Sequence, residues 1–425
     1  MVRPHQNVIE FVAEPRGTGW PTTPPPNGLL STCHGMSEDR LQSQQEMSRT
    51  SKPVLEIRDL RVVFHTYAGT VKALEGVNLT LFEGETVGLV GESGCGKSVT
   101  AAAIVGLLPE NAEVSSGEIL FRGEDLLRKS SDEKRILRSK KLAIVFQDPM
   151  TFLNPVLTIG EQLIEVFELD KSRIALIALE ARIENLRKEA EKADDDKRRR
   201  IEDEVRRLER LRQNPPTPGK RERKSILKGL AKEVLTKMRL PDPERILKEY
   251  PHELSGGMRQ RAMIAMAIAR NPELLIADEI TTALDVTIQA QILELLRILR
   301  QELNSTILII THDLGVVADI CDRVAVMYAG AVVEVADSGE LYGRPLHPYT
   351  QGLLRAVPKL GEAQTKLESI PGSVPDLIYP PTGCRFHPRC PYAWDLCSRV
   401  KPGLVEASKG HFVACHLYGE EGRVG

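Results

Sequence analysis

Short apolar runs bounded by turn residues recur along the middle of the chain and predict buried strands. Thr86–Val90 is apolar almost throughout, Leu274–Glu279 is an apolar run that ends in two carboxylates, and Thr306–His312 ends in a histidine. Val99–Leu108 and Gln260–Arg270 have the composition of helices. This mixture of buried strands and helices predicts an α/β fold.

Further segments with strand character lie on either side of Thr86–Val90. The strands predicted from these segments are Val54–Leu60, Arg61–Phe64, Ala73–Leu81 and Lys141–Phe146, and Gly117–Gly123 is predicted as a hairpin.

Residues 171–212 are highly charged and predict an antiparallel helical hairpin. Apolar residues alternate steps of three and four along two seams, which is typical of packed helices. Asp194–Asp196 lies between the seams and breaks their phase, and Asn214–Gly219 ends the segment. The seam residues are Leu176, Leu179, Ile183, Leu186, Ala190 and Ala193, then Ile201, Val205, Leu208 and Leu211. A solvated insertion without chemistry is the preferred interpretation, and a docking site for a partner is the alternative.

Residues 1–50 are rich in Pro, Gly, Ser, Thr and Gln and lack any apolar period, so we predict that they are disordered. Met47 stands just before the first predicted strand and is a possible alternative start. The formal net charge of −2 gives no bulk electrostatic reason to expect nucleic-acid binding. With neither a membrane-spanning run nor a signal peptide, the chain is expected to be soluble and cytoplasmic, reaching a membrane only through a partner.

Gly91–Ser98 matches the phosphate-binding pattern G-x-x-x-x-G-K-[ST], and it lies between a predicted strand and a predicted helix. Gly91, Gly94 and Gly96 let the backbone approach an anion closely, with N–H groups and the helix dipole facing the phosphates. Lys97 is expected to reach the β- and γ-phosphates, and the hydroxyl of Ser98 to bind Mg²⁺. The pattern by itself indicates a nucleotide phosphate site and nothing narrower.

A second helix start has the same character. Ser255 is a good N-cap, and Gly256 and Gly257 bring bare N–H groups to the start of the helix that follows. Taken alone, this segment could be ordinary helix capping.

Polar residues follow three of the predicted strands. Asp278 is a candidate ligand for Mg²⁺ and Glu279 a candidate to polarise an attacking water, because neighbouring strand residues face different ways. Gln147 could orient a water or a metal ion, and His312 could contact the γ-phosphate. Phe64 could stack on adenine or belong to the core, and Tyr67 is an equal candidate for stacking.

These segments together resemble the ATP-binding cassette (ABC) ATPases over residues 54 to about 335. Gly91–Ser98, Gln147, Leu254–Gln260, Asp278–Glu279, Ala283–Asp285 and His312 are similar to the phosphate loop, Q-loop, signature, acidic motif, D-loop and switch histidine of that family. The signature is specific to it. Ile280 stands where the family usually has proline, which loosens the turn but removes no ligand.

The resemblance implies a role for each of these residues. Lys97, Gln147, Glu279 and His312 would be catalytic, and Ser98, Gln147 and Asp278 would bind Mg²⁺. The residues implied in ATP binding are Phe64, Gly91, Glu92, Ser93, Gly94, Cys95, Gly96, Lys97, Ser98, Val99, Gln147, Ser255, Gly256, Gly257, Gln260, Asp278 and Asp285.

The end of the chain narrows the resemblance. Pro345–Thr350, Val357-Pro, Ile370–Gly372 and Cys384–Cys390 are similar to the C-terminal extension of the ATPase subunits of oligopeptide and dipeptide importers. That family implies a peripheral subunit on the cytoplasmic face of the membrane. Its expected partners are a second ATPase, identical or different, two transmembrane permease subunits and, indirectly, an extracytoplasmic binding protein.

The predicted domains follow from this resemblance. They are a tail (1–50), an ABC ATPase domain (51–335) and a C-terminal extension (336–425), with a helical subdomain at about 150–265 that carries the hairpin.

Four of the seven cysteines, Cys384, Cys390, Cys397 and Cys415, lie in the extension. Four thiolates suffice to bind a zinc ion or an iron–sulfur cluster. The irregular spacing of these cysteines is less typical of a zinc site. The resemblance implies a [4Fe–4S] cluster that fixes the extension. Unbound cysteines in a small core and disulfides are the alternatives.

Two other functions stay open from the sequence. The same kind of importer could carry oligosaccharides, nickel or glutathione, since cargo is chosen by other subunits. A soluble cassette ATPase of translation or DNA repair is the second alternative, kept open by the hairpin at 171–212.

Overall fold

The computed structural model describes residues 52–282, 284–357 and 369–419. The predicted disorder of residues 1–50, and Ala283 of the predicted D-loop, lie outside these ranges.

The described chain alternates strands and helices. The strands are β1 (Pro53–Thr66), β2 (Gly69–Phe82), β3 (Thr86–Val90), β4 (Ala112–Phe121), β5 (Glu124–Asp125), β6 (Leu142–Val145), β7 (Leu274–Asp278), β8 (Thr306–Thr311), β9 (Arg323–Tyr328), β10 (Ala331–Asp337), β11 (Val405–Ser408) and β12 (His411–Val413). The helices are α1 (Lys97–Val105), α2 (Ser131–Lys140), α3 (Pro149–Phe152), α4 (Ile159–Glu168), α5 (Lys171–Ala190), α6 (Asp195–Arg210), α7 (Lys220–Lys237), α8 (Pro243–Ile246), α9 (Gly256–Ile268), α10 (Val286–Leu303), α11 (Leu314–Ile320), α12 (Ser338–Gly343), α13 (Pro348–Arg355) and α14 (Asp395–Arg399).

The larger sheet has the strand order β11-β12-β10-β9-β3-β8-β7-β6. Strands β9, β3, β8, β7 and β6 run parallel, and every residue of β3, β7 and β8 is buried. Parallel strands end at the same edge of a sheet. The residues that follow β3, β6, β7 and β8 therefore meet at one edge, and these are the segments with the candidate polar residues.

A second, antiparallel sheet has the order β2-β1-β4-β5. The two strands predicted at 54–60 and 61–64 are a single strand, β1, with register shifts between Ile57 and Leu60. Asp59 sits in this irregular stretch with a φ of 43°. A bulge of this kind shifts the alternation of side chains, which explains why the pattern suggests two strands.

Helices α5 and α6 pack against each other through a small core of their own. Leu179 and Ile183 of α5 and Ile201, Val205 and Leu208 of α6 are buried together, apart from the two larger cores. The base of α5 is different, because Ile174 belongs to the main core beside helices α4, α7 and α9. The segment is thus anchored at its base and carries charged outer surfaces.

The C-terminal part of the chain adds strands to the larger sheet. β12 pairs with β10, at Glu334 with Val413 and at Val335 with Phe412, and β11 pairs with β12. β10 runs through residue 335, where the sequence places the end of the cassette domain, so the extension is continuous with the sheet. No helix among the described residues is both long and apolar enough to cross a bilayer.

Candidate nucleotide site

The loop after β3 is shaped by its glycines. A Cβ on Gly91 would lie 2.1 Å from the carbonyl oxygen of Met327, and one on Gly96 would lie 2.7 Å from Cδ2 of Leu74. Gly96 also has a φ of 107°, which a residue with a side chain rarely adopts. These positions therefore need glycine so that the loop can pack against its own sheet.

Helix α1 starts at Lys97, behind Gly96, which has no side chain to cap the first N–H groups. Such a helix start favours an anion. The Lys97 ammonium is 4% exposed and donates to the carbonyl oxygens of Gly91 and Glu92 at 2.9 and 3.0 Å. Lys97 thus lies folded along the loop, beside the position that an anion would occupy.

Two oxygen groups meet below the loop. The Ser98 hydroxyl donates to Oδ1 of Asp278 at 3.2 Å, which joins the ends of β3 and β7. Burial raises the pKa of Asp278, and the nearby Glu279 adds to this, while the hydrogen bond from Ser98 opposes it. Hydroxyl and carboxylate oxygens are ligands that Mg²⁺ prefers, and a divalent cation would relieve the cost of a buried carboxylate. The residues present therefore fit Mg²⁺.

Glu279 is the centre of a polar cluster at the same edge. Its Oε2 accepts from Nε2 of Gln147 at 2.8 Å, and its Oε1 lies 3.3 Å from Nδ1 of His312. Glu279 has a φ of 49°, and its N–H donates to the carbonyl oxygen of Ile310 at 2.8 Å. A residue other than glycine in the left-handed backbone conformation costs free energy, and such residues tend to occur at functional sites. The arrangement places a carboxylate in contact with an imidazole and an amide, groups that can together orient a water.

Ile280, which stands where the resembling family usually has proline, is 3% exposed and belongs to the main core. The burial of this side chain holds the turn after β7 against the core.

The predicted second phosphate surface lies at the start of α9. The Ser255 hydroxyl accepts from the N–H of Met258 at 3.4 Å, so Ser255 is the N-cap. Ser255 and Gly256 are exposed, and Gly257 is half-buried. Gln260 points inward instead. It is 2% exposed, and its Nε2 has no hydrogen-bond partner among the described residues.

The remaining predicted residues have varied surroundings. Phe64 is half-buried and packs against the core between the two sheets, whereas Tyr67 is fully exposed. The Asp285 carboxylate caps α10 by accepting from the N–H of Ile288 at 2.9 Å. In the phosphate loop and the first turn of α1, Ser93 is exposed, Cys95 is buried and Val99 is half-buried.

The prediction of an iron–sulfur cluster is wrong. Cys384, Cys390, Cys397 and Cys415 line one small cavity, but no group of three or more His, Cys, Asp or Glu residues in the described ranges could hold a metal ion. Burial raises the pKa of Cys390 and of Cys415 to about 12, so these thiols stay protonated. All four are free cysteines, and Cys384 and Cys390 pack against the main core. They act as small apolar side chains, in line with the alternative of unbound cysteines in a small core.

Two residues of the extension contact the phosphate loop, and neither was identified as a site residue from the sequence. The guanidinium of Arg389 donates to both carboxylate oxygens of Glu92, and the Tyr349 hydroxyl accepts from the N–H of Glu92 at 2.9 Å. Both residues lie in segments that carry the family resemblance, but the chain brings them to the loop only through its fold.

Two parts of the chain match families of known proteins. Residues 74–282 match the family described as ABC transporter, and residues 333–397 match the family described as oligopeptide/dipeptide transporter, C-terminal region.

Relatives of known name match along most of the chain. The dipeptide transport ATP-binding protein DppD of Bacillus subtilis is 45% identical over 368 residues, which are 86% of this chain and 94% of that protein. The oligopeptide transport ATP-binding protein OppD of Salmonella typhimurium is 42% identical over 91% of this chain and 99% of that protein. A solved dimeric ATP-binding cassette in a post-hydrolysis state with ADP and Pi matches at 26% identity and a TM-score of 0.49, over 67% of this chain and 98% of that one.

Proposed function

Since the chain belongs to the ATP-binding subunits of the oligopeptide and dipeptide ABC transporters, we propose that it binds ATP between two subunits and hydrolyses it to drive peptide uptake. The observation that carries the proposal is the convergence of Gln147 and His312 on Glu279, beside the Ser98–Asp278 pair, at the edge of the sheet where the phosphate loop begins.

Each part of this edge has a proposed task. The loop N–H groups and Lys97 would bind the phosphates. Ser98, Asp278 and Gln147 would hold Mg²⁺, which would supply positive charge to offset that of the phosphates. Glu279 accepts a proton from the attacking water as that water bonds to the γ-phosphorus and the bridging bond to ADP breaks. His312 orients the carboxylate and the γ-phosphate.

The second half of each site is proposed to come from a partner ATPase. Ser255, Gly256 and Gly257 present an exposed helix start, suited to a phosphate on another chain. ATP then joins two subunits because its phosphates bind N–H groups from both. Loss of the γ-phosphoryl group weakens this contact, and the opening of the pair moves the transmembrane subunits.

A surface near Gln147 is suited to the transmembrane partners. Phe152 is 50% exposed and stacks on Phe146 at a centroid distance of 3.9 Å, and Val156 is 74% exposed. Neighbouring exposed apolar side chains can mark a surface that contacts another protein. We therefore place the subunit at the cytoplasmic face of the membrane, with two permease subunits and, through them, an extracytoplasmic binding protein. The cargo proposed is di- and oligopeptides.

The substitution Glu279→Gln tests the proposed chemistry. It keeps the shape of the side chain but removes the group that accepts a proton, so kcat for ATP should fall by about 10²–10⁴-fold. Bound ATP should remain unhydrolysed in a closed pair of subunits, measured by phosphate release and by the nucleotide retained after gel filtration. Glu302→Gln, an exposed glutamate at the end of α10, is the matched control. Turnover of Glu279→Gln at the wild-type rate would contradict the proposal.

A further inference from the structure

Glu92, the second residue of the phosphate loop, is bound by the C-terminal extension. Nη1 of Arg389 lies 2.8 Å from one carboxylate oxygen of Glu92, and Nη2 lies 3.1 Å from the other. Two parallel bonds of this kind fix direction as well as distance. The carboxylate of Glu92 is therefore held in one orientation, toward Arg389.

The backbone of Glu92 is bound by the same extension. Its N–H donates to the Tyr349 hydroxyl at 2.9 Å, and Tyr349 is 0% exposed. Because this hydrogen bond has a buried acceptor, it favours one orientation of the peptide that joins Gly91 to Glu92.

The side chain of Arg389 is itself held on several sides. It is 5% exposed, donates to the carbonyl oxygens of Ile370 and Pro371, and donates to the Tyr328 hydroxyl at 3.3 Å. Its guanidinium also lies over the rings of Tyr328 and Phe386. Little freedom is left to this group, so it can hold Glu92 in one position.

Glu92 in turn borders the group that binds phosphate. The Lys97 ammonium donates to the carbonyl oxygens of Gly91 and Glu92, the two residues that enter the loop. A shift of Glu92 would move both oxygens and with them the resting position of Lys97. The extension is thus connected to the phosphate site through one residue.

We propose that Arg389 and Tyr349 are positioning residues for ATP binding, which hold Glu92 so that the phosphate loop and Lys97 are preorganised for the triphosphate. The inference rests on the proposed function of the loop as an ATP site. It gives the extension a role in nucleotide affinity, in addition to its strands in the sheet.

The test separates affinity from turnover. Arg389→Gln and Tyr349→Phe are purified as full-length chains with the partner subunits. KM and kcat for ATP are measured, together with the Kd of a fluorescent ATP analogue. Arg389→Gln should raise KM and Kd about tenfold, equal to about 1.4 kcal/mol, and change kcat less than twofold. Tyr349→Phe should raise both about threefold.

Two comparisons make the result decisive. Arg399→Gln, an arginine of the extension that is 72% exposed and pairs only with Asp395 among the described residues, should leave KM unchanged. Combining Glu92→Gln with Arg389→Gln should raise KM by less than the product of the single effects.

Several outcomes would overturn the inference. One is a lower Tm in both variants with wild-type KM and Kd, since a merely structural contact gives that result. If Arg389→Gln does not fold, Tyr349→Phe decides alone, and a wild-type Kd in that variant overturns the role of the extension. A wild-type protein that neither binds nor hydrolyses ATP would instead overturn the proposed function itself.

Discussion

The two proposed phosphate surfaces of this chain differ in how much of their environment the chain supplies. Lys97 is 4% exposed, and the loop around it is bound by the sheet, by Tyr349 and by Arg389. Ser255 and Gly256 are exposed at the start of α9. The first surface is assembled within one chain, whereas the second is presented to the outside.

Glycine shows the same difference. At Gly91 and Gly96 an added Cβ would collide with Met327 or Leu74, so the fold of this chain requires glycine there. At Gly256 an added Cβ would meet nothing within 4 Å among the described residues. The open space at Gly256 leaves room for a group of another molecule, such as an ATP phosphate bound to a partner, whereas a Cβ on Gly257 would lie 2.9 Å from Cγ2 of Ile288.

The largest predicted effect comes from breaking each surface separately. Lys97→Ala should abolish both ATP binding and hydrolysis, because it removes the ammonium group proposed to bind the phosphates. Ser255→Arg should leave the Kd of the isolated subunit for ATP within twofold of wild type. It should still lower hydrolysis in the assembled transporter by about 10²–10³-fold, the usual effect of losing a phosphate-stabilising group. Binding titrations and phosphate release on the same preparations check this. A parallel loss of binding in Ser255→Arg would contradict the division into two surfaces.

A smaller effect of the opposite sign is predicted for stability at the first surface. Because the pKa of Asp278 is raised by burial, its contribution to stability is present below the unfolded pKa of about 3.8 and is lost as pH rises. At neutral pH the ionised group destabilises the metal-free chain. Asp278→Asn should therefore raise Tm without Mg²⁺ by a few degrees and weaken Mg²⁺-dependent ATP binding.

Calorimetry at pH 7 with and without Mg²⁺ measures both effects. Asp319→Asn, an exposed aspartate at the end of α11, should change neither. A fall in the metal-free Tm of Asp278→Asn would mean that the carboxylate stabilises the fold, contrary to this account.

The smallest predicted effect concerns the extension that holds the loop. Burial lowers the pKa of His347 to about 4, with Glu334 opposing, and Nδ1 of His347 accepts from the N–H of Tyr349 at 3.0 Å. A depressed pKa gives stability that is full above about pH 6.5 and lost as pH falls toward 4. The free energy of unfolding should therefore fall across this range.

His347→Asn keeps an N-cap acceptor without the titration, so its unfolding free energy should depend less on pH than that of wild type. Urea unfolding at pH 7.5 and pH 5.5 measures the difference. An equal change in the free energy of unfolding between the two pH values in both proteins would exclude His347 as the source of the pH dependence.

The local geometry around the candidate site follows from the sequence for a physical reason, whereas the roles of its residues stay predictions. The phosphate loop is contiguous, and its glycines, lysine and flanking strand are all encoded within a few residues. Asp278 is the last residue of a fully buried strand and Glu279 follows it directly, so their place at the edge of the sheet follows from the pattern of apolar residues.

Contacts that depend on the whole fold could not be predicted in this way. Tyr349 and Arg389 lie 257 and 297 residues from Glu92, and no local pattern encodes those pairs. The pairing of β12 with β10, at Glu334 with Val413, also joins segments that are far apart in the sequence. The cysteines are a case in which a local pattern gave a wrong prediction. Four thiols in one short segment suggest a metal site, but in the fold they are buried as part of the core.

The most direct test of the account is the structure of the assembled transporter carrying Glu279→Gln with Mg²⁺ and ATP. The nucleotide bound by Lys97 should be covered by the signature helix of a second subunit, and Ser255 should cover the nucleotide of that subunit. A closed ATP complex in which one chain surrounds its nucleotide alone, with Ser255 facing solvent, would contradict it.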